Sequence, residues 1–146
     1  MTGVNASPEN ASTFESRLNE RYGSEDEWAL ITGASEGIGR SYALDLARAG
    51  YSLKLCARSV DKLEAVAAEA RKLNPAIKTE VVQLDVMNAA PITYSGLFCQ
   101  SKRTSIVINN AGIMKNRIFF DQDPQLLEDM IKTNVHPYVY MTKYAI

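Results

Sequence analysis

Apolar positions along this chain follow two rhythms in turn. Short runs read as strands: "WALIT" (28–32), "SLKLCAR" (52–58), "KTEVVQLDV" (78–86) and "TSIVINNAG" (104–112). Between them the spacing becomes helical. One helix is predicted over 37–49, ended by Gly50. A second covers 59–74, where Leu63, Val66, Ala67, Ala70 and Leu73 share a face and Pro75 stops the pattern. The segment 87–103 is broken by Pro91 and Gly96, although a crossover there calls for a helix. Asp123 as N-cap and Pro124 at the first helical position start one long helix running toward Ile146. Upstream, residues 1 to about 11 are small and polar and read as disordered. Ser12 and Glu15 then have capping-box spacing for a short helix, with Phe14, Leu18 and Tyr22 on one face and Gly23 as its stop.

Strands alternating with helices at this spacing predict an α/β fold, a doubly wound parallel sheet. Two units are expected: a polar N-terminal segment, 1–26, and a sheet domain, 27–146. Strands two and four read as apolar on both faces, as suits strands covered by helices on either side. In such a sheet the ligand crevice lies beyond the strand ends where strand order reverses, here between strands one and four.

Composition narrows the partners. The chain has 146 residues, and its 16 basic and 17 acidic side chains give a net charge of −1, which argues against nucleic acid. No apolar run is long enough to span a membrane, and the polar N-terminus offers no signal-peptide core. Cys56 and Cys99 are too few and too far apart for a metal site or a disulfide framework, so no metal is expected. They read as reduced core thiols, and the expected location is cytoplasmic.

The candidate chemistry begins at "ITGASEGIGR". Gly33 permits a tight exit from the first strand. Gly37 and Gly39 allow close backbone approach to a pyrophosphate at a helix N-terminus. A glycine-rich turn without a ligand is the alternative. The pattern is GxxxGxG. With Asp85-Val86, "NNAG" at 109–112 and Asn134, it resembles the short-chain dehydrogenase/reductase family over about residues 27–146. The run from Tyr22 to Glu64 is similar to the 17β-hydroxysteroid dehydrogenase and very-long-chain 3-ketoacyl-CoA reductase branch.

That resemblance implies a Rossmann-like sheet, incomplete here at about four strands of the family's usual seven. It implies a nicotinamide nucleotide held by Gly33, Ser35, Glu36, Gly37, Ile38, Gly39, Asp85, Val86, Asn110, Ala111 and Gly112. Asp85 would reach the adenine amino group, with Val86 against the ring, though an Asp after a strand also suits a helix N-cap. Charge chooses between the nucleotides. Strand two ends in Cys56-Ala57-Arg58, with no acid to repel a 2′-phosphate. Arg58, with Arg40 and the Ser35 hydroxyl, points to NADP. A solvated strand-end charge and a helix-surface cation are the plainer readings of the two arginines.

Carbonyl reduction also needs a positioned proton donor. In the family a Tyr supplies it, a Lys four residues on tunes it, and a helix Asn holds a relay water. Asn134 matches the Asn, and Pro137 should loosen the helix beside it. Tyr140 and Lys143 have the wrong spacing, and Tyr138, Tyr140 and Tyr144 read as packing aromatics. His136 reads as a surface residue. The Tyr-x-x-x-Lys region is therefore expected beyond Ile146, leaving a cofactor-binding half that is inactive by itself. Two functions compete: the front of an NADP-dependent reductase of ketones or 3-ketoacyl thioesters (steroid or fatty-acyl type), or a non-catalytic nucleotide-binding or interaction module. Some members of that branch are associated with the endoplasmic reticulum membrane, the alternative location. An open edge on strand four, with Met130, Ile131, Val135, Tyr138 and Met141 short of partners, predicts self-association.

Overall fold

The computed structural model describes residues 8–23, 26–98, 103–115 and 118–146, with side chains from residue 15 onward. Residues 1–7 of the polar segment and Cys99 lie outside that set.

Four parallel strands form one sheet: β1 (Trp28–Thr32), β2 (Ser52–Ala57), β3 (Thr79–Gln83) and β4 (Thr104–Ile108), in the order β3-β2-β1-β4. The chain moves outward from β1 to β3, then returns to β4 on the opposite side. The C-terminal ends of β1 and β4 therefore flank the point of reversal. Helices α2 (Gly37–Arg48) and α3 (Val60–Leu73) make the crossovers between the first three strands. Among the described residues, the crossover to β4 contains a single short helix, α4 (Pro91–Ser95), opened by its proline.

Period-2 alternation sorts the side chains into two cores. Ala29, Ile31, Leu53 and Leu55 point to one face, where Ala43, Leu44, Ala47, Leu63, Val66, Ala67 and Ala70 of α2 and α3 cover them. Leu30 and Cys56 point to the other, against Leu84, Tyr94, Leu97 and Met141. Strand two is not apolar on both faces, however. Lys54 is buried on the second face, where its Nζ donates to the Leu97 carbonyl at 2.6 Å and lies 3.4 Å from Glu80. A buried ammonium is tolerated because both partners are in reach. β4, which among the described residues pairs only with β1, is half-buried at every position.

The ends of the chain depart furthest from the sequence pattern. Helix α1 (Pro8–Tyr22) starts before Ser12, so Ser12 lies within the helix and not at its N-cap. Proline is well placed in a first turn, where no intrahelical donor is needed. Leu18 packs on the first core, its carbonyl accepting from the Tyr51 hydroxyl at 3.2 Å. The predicted long final helix is two: α5 (Pro124–Asn134) and α6 (His136–Ala145), broken at Val135. Pro137 cannot donate to the Thr133 carbonyl, and the break falls where that bond is missing. Met141 is fully buried rather than short of partners, and Tyr140 stacks on Tyr94 with centroids 5.7 Å apart.

Candidate functional site

The ends of β1 and β4 are laced together by two side chains. The Thr32 hydroxyl accepts from the backbone N–H of Asn110 at 3.0 Å and of Ala111 at 3.1 Å. The Asn110 amide donates back to the carbonyls of Thr32 at 3.0 Å and Gly33 at 3.2 Å. Gly33 turns the chain with φ +65, and a Cβ there would meet Asn110 Nδ2 at 2.8 Å. A Cβ on Gly39 would overlap the Gly33 carbonyl, so Gly39 is what lets α2 start against the turn. Gly37 differs. Its φ is +57, and a Cβ there would face open space. Glu36, the N-cap of α2, is extended and makes no side-chain cap. The first-turn N–H groups are thus left for solvent or a ligand.

A groove of about 470 Å³ opens over this lacing. Gly33, Ser35 and Glu36 form one rim, while Ala57, Arg58, Ser59 and Lys62 form another. Leu84, Asp85, Val86 and Met87, then Asn110 to Ile113 with Asp129 and Thr133, complete its lining. The structure thus brings together Gly33, Ser35, Glu36, Arg58, Asp85, Val86, Asn110, Ala111 and Gly112 of the residues singled out from sequence. Gly37, Ile38 and Arg40 line a separate shallow depression on α2, with Ser41, Tyr42 and Asp45. Gly39 is buried beneath the turn.

Charge at the rim differs from the sequence expectation in one respect. Arg40 Nη2 is 2.5 Å from Glu69 Oε2 of α3, so this arginine ties two helices and does not face the groove. The second cation at the rim is instead Lys62, whose Nζ donates to Glu36 Oε2 at 2.7 Å. That hydrogen bond and charge hold the Glu36 carboxyl below its ordinary range. Lys62 escapes sequence reading because its position suits the solvated face of α3. Arg58 is exposed and its guanidinium has no partner among the described residues.

Asp85 closes an Asx turn and not a helix N-cap: Oδ1 accepts from Met87 N at 3.2 Å and Oδ2 from Asn88 Nδ2 at 2.8 Å. The Tyr94 hydroxyl donates to the Val86 carbonyl at 3.2 Å, and burial with the nearby Asp85 charge raises the Tyr94 pKa. Behind the lining residue Ile113, the Asn134 side chain bridges that residue's backbone, accepting from its N–H and donating to its carbonyl, both at 2.8 Å. Its amide therefore pins the segment after "NNAG". Tyr138 adds a third anchor by donating to the Ala111 carbonyl at 3.1 Å. The hydroxyl of Thr133, buried at the end of α5, and the side-chain Oδ1 of Asn109 have no partner among the described residues. Among the described residues no cluster of His, Cys, Asp and Glu is placed to hold a metal.

A family model described as short chain dehydrogenase matches residues 27–146. The very-long-chain 3-oxoacyl-CoA reductase of Coccidioides immitis is 40% identical over 117 residues, which cover 77% of this chain and 34% of that protein. Its counterpart in Mycosarcoma maydis is 35% identical over 123 residues, 82% of this chain and 35% of that one. The chain thus spans about a third of the length of these curated relatives. Among solved structures, a short-chain dehydrogenase from Sphingobium yanoikuyae in complex with NADPH superposes with a TM-score of 0.74 at 32% identity. The match covers 82% of this chain and 46% of that one. The bulky-bulky ketone specific alcohol dehydrogenase from Comamonas testosteroni gives a TM-score of 0.75 at 28% identity, over 81% and 47%.

Proposed function

The chain belongs to the short-chain dehydrogenase family, and from that premise we propose that its groove binds NADP and that it forms the cofactor-holding part of a reductase of ketone or 3-ketoacyl substrates. The observation that carries the nucleotide choice is the end of β2. Ala57 stands there without a carboxylate, and the Arg58 guanidinium beside it has no partner among the described residues, its backbone carbonyl alone accepting from Gln83 Nε2 at 3.2 Å. An acid at that place would hydrogen-bond a ribose 2′-hydroxyl and repel a 2′-phosphate. A free guanidinium fork favours the phosphate.

The remaining residues fit the rest of the nucleotide. The open backbone at Gly37 and the uncapped start of α2 suit a pyrophosphate. Leu84 and Val86 offer an apolar wall for the adenine ring, and the bare backbone of Ala111 and Gly112 suits a ribose. Gly112 cannot carry a larger side chain freely, since its Cβ would come within 3.2 Å of Asn134 Oδ1. When bound, the cofactor supplies a hydride to a carbonyl carbon. This chain's own contribution is to bind and orient it: Thr32, Asn110, Asn134 and Tyr138 fix the backbone beneath the groove. On this reading proton delivery falls to other residues, since the Tyr138 hydroxyl donates to the Ala111 carbonyl and Tyr140 and Lys143 are three residues apart rather than the four of the family's pair. The substrate class rests on the likeness to the 3-oxoacyl-CoA reductases.

Fluorescence titration of the chain with NADPH and NADH tests the reading. NADPH is expected to bind more tightly, by about tenfold or more for a charge-assisted contact of 1.5–3 kcal/mol. Ala57→Asp with Arg58→Ile should reverse the order. Equal affinities in the parent chain would overturn the NADP assignment.

A further inference from the structure

Glu36 and Lys62 form an ion pair across the mouth of the proposed 2′-phosphate site, joining the glycine turn to the first turn of α3. An extended N-cap acid ordinarily turns back onto the N–H groups of its own helix. Glu36 does not: its carboxylate reaches Lys62 instead. The pair is well exposed, with side-chain accessibilities of 73% for Glu36 and 57% for Lys62. Exposed pairs of this kind add little to folding stability and exchange partners readily. Arg40 is taken up by Glu69, so the cations at the mouth are Arg58 and Lys62. The acids of the groove are Glu36, Asp85 and Asp129. Asp85 is held in its own turn, and Asp129 accepts from Gln125. Glu36 alone among these three lies on a cation at the rim.

We propose that Glu36 is an internal competitor for the 2′-phosphate, holding Lys62 until a nucleotide carrying that phosphate takes the lysine from it. The inference rests on the NADP reading and deepens it. A phosphate monoester near pH 7 carries more negative charge than a carboxylate and offers three acceptor oxygens. It therefore outbids Glu36 for Lys62, and Glu36 swings into solvent. NADH brings no such group and leaves the pair closed. Selectivity between the two nucleotides is thus set by Arg58 together with the exchange at Lys62, and Glu36 holds it below what the two cations alone would give.

The test is a mutant cycle on the full 146-residue chain, titrated with NADPH, NADH and adenosine 2′,5′-bisphosphate at low and high salt. Glu36→Gln should raise the NADPH-to-NADH affinity ratio by about fivefold. Lys62→Gln should lower it by about tenfold. In the Lys62→Gln background the gain from Glu36→Gln should vanish, because no lysine remains to be released. The gain should also shrink as salt rises, and the bisphosphate should follow NADPH. An equal gain from Glu36→Gln in both backgrounds would mean that Glu36 acts directly on the phosphate, and would overturn the competition. NADPH binding that is unchanged by Lys62→Gln would overturn the inference while leaving the NADP reading standing. A parent chain that binds neither nucleotide removes both.

Discussion

Gly37 and Gly39 are two residues apart and do different work. A methyl group on Gly39 would be driven into the Gly33 carbonyl and the Asn110 amide, neither of which can yield without unlacing β1 from β4. Gly39→Ala should therefore cost about 1–3 kcal/mol of stability, the range for overpacking, read as a lower thermal midpoint. A Cβ on Gly37 meets no protein atom within 4 Å, so Gly37→Val pays mainly for a left-handed backbone, about 1–2 kcal/mol. It should keep its circular dichroism spectrum and lose NADPH binding if the pyrophosphate sits, as proposed, at the uncapped start of α2. Retained binding in folded Gly37→Val would make that turn purely structural. Cys56 gives a third residue-level expectation. Burial pushes its thiol up to about 12 from an ordinary 9.0. Above pH 9 the unfolded chain loses this proton while the folded chain keeps it, so its contribution is fully present below pH 9. It is lost as pH rises toward about 12. In a Cys99→Ser background, a thiol reagent at pH 8 should label Cys56 only on unfolding, and fast labelling of the native chain would contradict its burial.

At the scale of elements, the joint between β1 and β4 depends on Asn110. Asn110→Ala leaves two carbonyls without their donor and should cost about 1–3 kcal/mol. Hydrogen exchange would locate the loss in β1 and β4, while α3 keeps its protection. Uniform loss of protection would show that the joint is not local. The Asn-rich turn was legible in the sequence because its place after a strand is a local fact. The same holds for β1, β2 and α3, whose periodicity is strong and whose stops, Gly33 and Pro75, adjoin them. Partners across the fold were not legible. Nothing near Arg40 announces that Glu69, on the neighbouring helix, will hold it. Nothing in "SVDKLE" says that Lys62 will cross to Glu36. The broken final helix lies between these cases. Pro137 marks a missing bond, but the sequence does not say whether a proline bends a helix or divides it. The buried Lys54 was hidden for the same reason, since its acceptors come from Leu97 and Glu80, on other strands and turns.

Across the whole molecule, apolar surface is unevenly spread. The side of the sheet covered by α2 and α3 is closed, with Ala29, Ile31, Leu53, Leu55 and Leu63 all fully buried. The opposite end is not. Among the described residues β4 pairs only with β1, leaving one side of its backbone without a strand partner. Near it in sequence, Met114, Ile118, Phe119 and Phe120 are exposed, Phe120 at 94%. Ile131, Val135 and Val139 form a further exposed row along α5 and α6. Buried area of this kind is the main favourable term in association, and an unpaired edge supplies a template for it. The 146-residue chain is therefore expected to self-associate, with an apparent mass above its 16.1 kDa that grows with concentration. Ile131→Glu with Val139→Glu changes only exposed positions and should not lower the thermal midpoint. If the helix row is the seam, this double variant moves the apparent mass toward that of a monomer. If the β4 edge is the seam, the variant associates as before. Light scattering after size-exclusion chromatography distinguishes these outcomes, and a parent chain that stays monomeric up to about 100 μM would show that neither surface is sticky enough to matter.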